Sequence, residues 1–299
     1  MPSDKPKRLI SASRRTDLPS TYGRWFQNRL EAGFCKTVNP FNRKQVSTVS
    51  LRPEHVAGFV FWTKELAPFL PQLDQVSARG WPFVVQYTIN DAPRLIEPNT
   101  PPLEHTLETL ARVFPGSDPP QGSPLRRLVW RYDPILLTDV TPVAFHLANF
   151  ERLAQRLRPF TDEVTVSFAQ LYAKTRRRLN EAQEQGLHWV DPGDSEKRAL
   201  LDELARVACA NGLRLHVCCQ PELLTDGVRA ASCLQAARLG LDSPGVAPTR
   251  QGCQCEVAKD IGAYDTCVRG CLYCYAVGSQ KRAEQRLKAH DPTSPFLFQ

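Results

Sequence analysis

The run Cys267-Val-Arg-Gly-Cys271-Leu-Tyr-Cys274 places three thiols at offsets of four and three, with an aromatic side chain, Tyr273, just before the last. Thiolates spaced in this way can reach three irons of one [4Fe–4S] cubane and leave the fourth iron open to another ligand. An open iron is a place for chemistry as well as for structure. Gly270 suits such a loop, because a backbone wound closely around a cluster passes through positive φ, where glycine carries no steric penalty. Zinc is the alternative these thiols allow. Four of Cys253, Cys255, Cys267, Cys271 and Cys274 would complete a tetrahedral thiolate site. No Cys-x-x-Cys pair is matched by a second, which weakens a zinc-ribbon reading.

Five of the ten cysteines thus fall between residues 253 and 274, a grouping that scattered core cysteines would not produce. With no apolar leader at the N-terminus and a chain far larger than a small stapled scaffold, a disulfide framework is a poor explanation, and clustered thiols point to metal or catalysis. Cys35, Cys209 and Cys233 read as structural, with Cys209 and Cys233 on helices. The adjacent Cys218 and Cys219 close a strand, whose alternation sends one side chain to each face. The inward or rim-facing member, taken as Cys219, is then placed to join Cys253 and Cys255 at the metal centre. The thiols left after the open loop fall short of what two ordinary cubanes require, so one cluster is expected.

The chain has 299 residues, 42% hydrophobic and 23% charged, the make-up of a globular protein able to bury a large core. No apolar run approaches the roughly 20 residues needed to span a bilayer. Reduced thiols and the absence of a leader predict a cytoplasmic location and no membrane association. The net charge of +7 permits a nucleic acid or phosphate-bearing partner without requiring one. Proline is frequent near 93–102 and 115–124, and both stretches read as surface loops.

Six short apolar runs, Leu9–Ser13, Gly58–Trp62, Phe83–Ile89, Leu128–Tyr132, Val164–Phe168 and Leu213–Cys218, have the length and composition of strands buried on both faces. Amphipathic helical patterns separate them at 18–32, 103–114, 141–158 and 194–211. The third begins with Thr141 as N-cap and Pro142 at the first helical position, and the fourth stops at Gly212. Residues 34–52 read as an extra hairpin. Alternating strands and helices imply a parallel sheet with right-handed crossovers. The expected fold is α/β: a (β/α)6 partial TIM-type barrel over residues 1–244, followed by an iron–sulfur-binding extension over 245–299.

In such a barrel the working face lies at the C-terminal ends of the strands. Those ends carry polar side chains that core packing does not call for: Ser13-Arg14-Arg15-Thr16-Asp17, Trp62-Thr63-Lys64, Gln86 to Asn90, Arg131-Tyr132-Asp133 and Ser167 onward to Lys174. Arg14, Arg15, Lys64, Arg131 and Lys174 would give one mouth positive charge suited to a carboxylate or phosphate, unless Asp17, Asp133 or Glu222 pairs with them. His216 reads as a satisfied interior histidine. A Walker loop, a dinucleotide-binding glycine motif, a serine-nucleophile elbow and a zincin motif are all missing, which removes most support for nucleotide hydrolysis, nicotinamide redox chemistry and serine hydrolysis.

Ile10-Ser-Ala-Ser-Arg-Arg-Thr-Asp17, Asn39-Pro-Phe-Asn42, Val60-Phe-Trp-Thr-Lys64, Gln86-Tyr-Thr88, Cys253-Gln-Cys255 and Asp260 to Ala276 together resemble a bacterial family filed as a domain of unknown function, over nearly the whole chain. That family is similar to the radical S-adenosylmethionine group that includes spore photoproduct lyase, a DNA-repair enzyme. The resemblance implies a barrel, a [4Fe–4S] cluster held by Cys267, Cys271 and Cys274, S-adenosylmethionine as cosubstrate, and a reducing donor such as a flavodoxin or ferredoxin. Arg14, Arg15, Asp17 and Lys64 would orient cofactor or substrate, with Thr63, Arg131 and Tyr273 also at the cofactor. Tyr87, Tyr132 or Cys219 would relay a hydrogen atom. Two departures stand out: the cysteine loop follows the sixth strand instead of the first, and Trp62-Thr63-Lys64 stands where a Gly-Gly-Glu element normally binds the methionine amino group. A closed four-ligand [4Fe–4S] or zinc site of structural or redox-sensing role is the alternative.

Overall fold

The computed structural model describes residues 7–115 and 125–299, so all but the first residue of the proline-bearing stretch 115–124 lies outside the described residues. β1 (Arg8–Ala12) leads into α1 (Leu18–Thr21) and α2 (Gly23–Ala32), and the hairpin of β2 (Phe34–Asn39) and β3 (Asn42–Ser50) precedes β4 (Val56–Thr63). The chain continues through α3 (Leu70–Ala78), β5 (Phe83–Thr88), α4 (Leu103–Val113), β6 (Leu128–Ile135), β7 (Leu137–Thr138), α5 (Val143–Leu157) and β8 (Glu163–Phe168). Then come α6 (Ala173–Glu184), β9 (Trp189–Val190), α7 (Asp194–Ala210), β10 (Arg214–Val217), β11 (Arg229–Ala230), β12 (Ala258–Asp260) and α8 (Gln280–Lys288).

Eight strands form one parallel sheet in the order β11-β10-β8-β6-β5-β4-β1-β12, a mixed α/β fold. The six strands read from the sequence lie in chain order across its middle. The outer two were not expected, because segments of two and three residues are too short for alternation to show. β12 pairs with β1 through Leu9–Ala258, Ile10–Lys259 and Ser11–Asp260, which ties the cysteine-rich tail to the first strand.

Period-two alternation sorts the strand side chains onto two faces. Phe59 and Phe61 of β4, Val85 and Tyr87 of β5, and Trp130 and Tyr132 of β6 pack with helical Trp25, Phe26, Leu110, Phe150 and Leu204 in the main core. Leu9, Val60, Val84 and Val129, of opposite parity, meet Leu234, Leu239 and a group of cysteines on the other face. Helices therefore cover one face, and the chain after β10 covers the other.

The helical stretch expected over 18–32 is two helices broken at Tyr22, the first capped by Asp17, whose carboxylate accepts from the Ser20 N–H at 3.2 Å. Pro142, not Thr141, is the N-cap of α5; the Thr141 hydroxyl donates instead to the Leu136 carbonyl at 2.8 Å. α6 buries only Thr175 and Leu179, and α8 only Ala283, so neither carries an apolar stripe that sequence periodicity could reveal. Among the described residues no helix is long and apolar enough to cross a membrane.

Candidate functional site

The C-terminal ends of the strands open onto a cavity of about 1320 Å³. Arg14, Arg15, Asp17, Thr63, Lys64, Arg131 and Tyr273 all line it, as do Cys219, Cys253, Cys255, Cys267, Cys271 and Cys274. Tyr87 and Tyr132 do not. They have the helix-facing parity of β5 and β6 and are buried in the main core, so their expected place at the mouth is corrected. The Tyr87 hydroxyl accepts from the Leu66 N–H at 3.2 Å, and the Tyr132 hydroxyl is 2.8 Å from His146 Nδ1. His216 is satisfied as expected, with Nδ1 3.0 Å from Glu163.

Three carboxylates, Asp17 and Glu97 buried and Asp260 half-buried, organise the cavity wall. Asp17 accepts from the Thr63 hydroxyl at 2.7 Å, the Lys64 N–H at 3.0 Å and Arg269 Nε at 3.2 Å. It thereby joins the end of β4 to the cysteine loop, and Arg269 also pairs with Glu65. Asp17 thus holds neighbours in place and leaves no free carboxylate for a substrate.

Glu97, from the loop after β5, accepts from Lys64 Nζ at 2.8 Å, from Asn90 Nδ2 at 2.7 Å and from the Tyr273 hydroxyl. Burial opposes its charge, but Lys64 and these hydrogen bonds outweigh burial and hold the carboxyl below its ordinary value. The same pairing keeps the Lys64 ammonium charged despite burial. Burial, reinforced by Glu97, pushes the Tyr273 phenol well above its ordinary value, so it remains a neutral donor.

Asp260, the last residue of β12, accepts from Ser13 Oγ at 2.6 Å, from the Arg14 N–H at 3.1 Å and from the Gly262 N–H at 3.0 Å, and pairs with Arg15 at 2.9 Å. Glu97 did not stand out in the sequence, for it lies in a loop with no neighbouring motif, and Asp260 entered only as the start of the block quoted for the resemblance, with no role assigned. The expected pairing of cations is seen at Arg131, whose partner is Asp133, and at Arg15, whose partner is Asp260 rather than Asp17.

A Cβ added at Gly262 would lie 2.1 Å from Ser13 Oγ and 2.5 Å from Ser13 Cβ. Gly262→Ala is therefore expected to push β12 off β1 and to cost about 1–3 kcal/mol, as overpacking does. Urea unfolding measures it, and Ser13→Gly in the same chain should recover part of the loss. A midpoint equal to wild type would contradict this close approach.

The cysteine loop is held from three sides. Gly270 has φ +73°, and a Cβ there would meet Pro98 at 3.1 Å, so the expected use of glycine is realised. Arg178 of α6 donates to the carbonyls of Cys271 at 3.2 Å, Cys274 at 2.9 Å and Val277. Asn99 donates to the Arg269 carbonyl at 3.2 Å. Burial, with Asp17 and Cys274 adding, pushes the Cys267 thiol up to about 12, a cost that binding to a metal would offset by displacing the proton. Cys267, Cys271 and Cys274 also line a small adjoining void of about 70 Å³.

The remaining cavity thiols form a separate group. Cys219 has φ +55°, a conformation uncommon for a non-glycine residue. It breaks strand alternation, so Cys218 and Cys219 both line the cavity, with sulfurs 3.7 Å apart, instead of facing opposite ways. Cys233 lies on the loop before a short 3-10 turn (Ala236–Leu239), not on a helix, and its sulfur is 3.7 Å from that of Cys218. A hydrogen bond from Cys233, with Arg14 and Cys253 adding, lowers Cys255 to about 5. Cys35 on β2 is buried, and Cys209 on α7 is exposed.

Among the described residues no three His, Cys, Asp or Glu side chains are gathered tightly enough to hold a single metal ion. A cubane makes a different demand, because each thiolate binds its own iron and the ligands stand apart around the cluster.

No curated protein and no solved structure matches the chain. A family model does, that of a domain of unknown function, DUF1848, over residues 9–276, and the chain belongs to that family.

Proposed function

We propose that the chain is an iron–sulfur enzyme of the radical S-adenosylmethionine kind, with a [4Fe–4S] cluster held by Cys267, Cys271 and Cys274. The observation that carries this reading is the position of these three thiols on the wall of a large cavity at the C-terminal ends of parallel strands, beside Lys64. Sequential strand order with helices on one face supports a partial (β/α)6 barrel, with residues 245–299 as a cluster-bearing extension over its mouth. Cys267, Cys271 and Cys274 would hold the cluster, and with S-adenosylmethionine bound it would supply one-electron reductive chemistry directed at a hydrogen atom of the substrate.

The chain's own side chains bind and orient. Arg14 and Arg131 lie over the Trp62 ring, at 5.6 and 5.2 Å from its centroid, and present a cationic shelf for a carboxylate or phosphate. Lys64, held against Glu97 and 5.5 Å from the Tyr273 ring centroid, stands where the Gly-Gly-Glu element is missing. Nucleic acid is one substrate class that the cationic mouth suits.

Anaerobic purification followed by electron paramagnetic resonance of the reduced protein tests the reading. The expected result is a signal that shifts on addition of S-adenosylmethionine, with 5′-deoxyadenosine formed in the presence of a flavodoxin-type or chemical reductant. An iron-loaded protein whose spectrum ignores S-adenosylmethionine would replace the open cluster by a closed one, and zinc without iron would remove the radical reading altogether.

A further inference from the structure

Cys218, Cys219, Cys233, Cys253 and Cys255 come from three separate segments: the end of β10, the loop after β11 and the loop before β12. Folding brings their sulfurs into one row. Cys219 and Cys233 each lie 3.7 Å from Cys218, Cys233 is within hydrogen-bond reach of Cys255, and the Cys255 N–H is 3.5 Å from Cys253 Sγ. Four of the five are buried, all five are free thiols, and none belongs to the cysteine loop.

Three guanidinium groups are aimed at this row. Arg131 Nη1 is 3.0 Å from Cys233 Sγ, Arg250 Nη2 is 3.8 Å from Cys218 Sγ and Arg14 Nη1 is 4.0 Å from Cys255 Sγ. Arg131 has Asp133 as a partner. Arg14 and Arg250 form no ion pair among the described residues; their other partners are Thr249 for Arg14, and Gln170 and Tyr172 for Arg250. Arginine does not lose its charge in a protein, and a positive charge beside a thiol favours the thiolate, the form that binds iron. A thiolate-ligated cluster, which is anionic overall, answers those charges.

We propose that these cysteines hold a second iron–sulfur cluster, with Cys233, Cys253, Cys255 and one of the Cys218/Cys219 pair as ligands. Five thiols strung along a row exceed the four that a zinc ion takes, and no three of them surround one ion-sized point. With four protein ligands the cluster has no open iron, so it can carry electrons or stabilise the fold but cannot bind S-adenosylmethionine. The two thiol groups line the same cavity, which suits a second centre passing electrons toward the first. This inference is independent of whether the first cluster binds S-adenosylmethionine.

Iron, sulfide and zinc are counted on anaerobically purified full-length chain, on the Cys267→Ala/Cys271→Ala/Cys274→Ala variant and on the Cys253→Ala/Cys255→Ala variant. Wild type is expected to hold about eight irons and eight sulfides, the content of two cubanes. The loop variant should keep about half of that, with an electron paramagnetic resonance signal that S-adenosylmethionine leaves unchanged. The Cys253/Cys255 variant should lose the other half. A folded loop variant with no iron would overturn the proposal, as would one zinc per chain in place of the second cluster. If the Cys253/Cys255 variant fails to fold, the loop variant still decides. Wild type with only about four irons, all kept in the loop variant and all lost from the Cys253/Cys255 variant, would uphold this inference while refuting the first cluster.

Discussion

Cys271→Ala is expected to empty the open-cluster loop, with loss of about four irons per chain and a fall of S-adenosylmethionine cleavage to background. Cys271 is the middle thiol of the three and the most deeply buried, at 6% exposure. Glu97, the carboxylate whose charge bears on Cys271, is already bound by Lys64, Asn90 and Tyr273 and so is not free to replace it. Metal analysis with 5′-deoxyadenosine assay reads the outcome. Cys209→Ala, on the exposed face of α7, is the control that should retain both iron and activity. Full iron content in Cys271→Ala would end the assignment of this loop as a cluster site.

Arg238→Ala should cost roughly 3–5 kcal/mol, the usual result of stripping one partner from a buried ion pair. Arg238 is 1% exposed, and its guanidinium donates to Glu163 at 2.5 Å, Asp162 at 3.1 Å, the Arg126 carbonyl at 2.7 Å and Gln235 at 3.0 Å. It fastens the turn that follows Cys233 to the start of β8, so the loss loosens a wall of the second thiol group as well. Urea unfolding of wild type and variant measures the cost; a difference under about 1 kcal/mol would show that His216 and Arg214 compensate Glu163 fully.

The same site has a pH signature. Burial raises the Glu163 carboxyl, but His216, Arg238 and Arg214 together outweigh burial and hold it below the ordinary glutamate value. A depressed carboxylate contributes stability that is complete above the unfolded value of about 4.3 and is lost as pH falls through the lower folded value. The advantage of wild type over Arg238→Ala should therefore be full at neutral pH and shrink below about pH 4.3.

Much of the fold was legible because its signals are local. All six central strands and four of the helical stretches were recognisable from apolar runs and 3.6-residue periodicity, since burial on both faces forces continuous apolar composition. α6 and α8 were not, because helices with one or two buried residues carry no stripe. At the site, the cations at the strand ends were legible from the strand assignments alone. Tyr87 and Tyr132 were misassigned to the mouth because parity, not position along the strand, decides which face a side chain meets.

By itself, the sequence determined the spacing of the proposed cluster loop: three thiols within eight residues are a covalent property, and Gly270 adopts the positive φ expected of it. The tertiary structure alone decided what surrounds that loop. Asp260 reaches Ser13 across 247 residues and Arg269 reaches Asp17 across 252, pairings that depend on β12 closing against β1. It also decided the number of thiol groups. The reading of one cluster rested on a count of thiols in which Cys233 was set aside as helical and only one of Cys218 and Cys219 faced the centre. A loop at Cys233 and a left-handed Cys219 turn those three toward Cys253 and Cys255, and no spacing in the chain encodes a convergence of three segments.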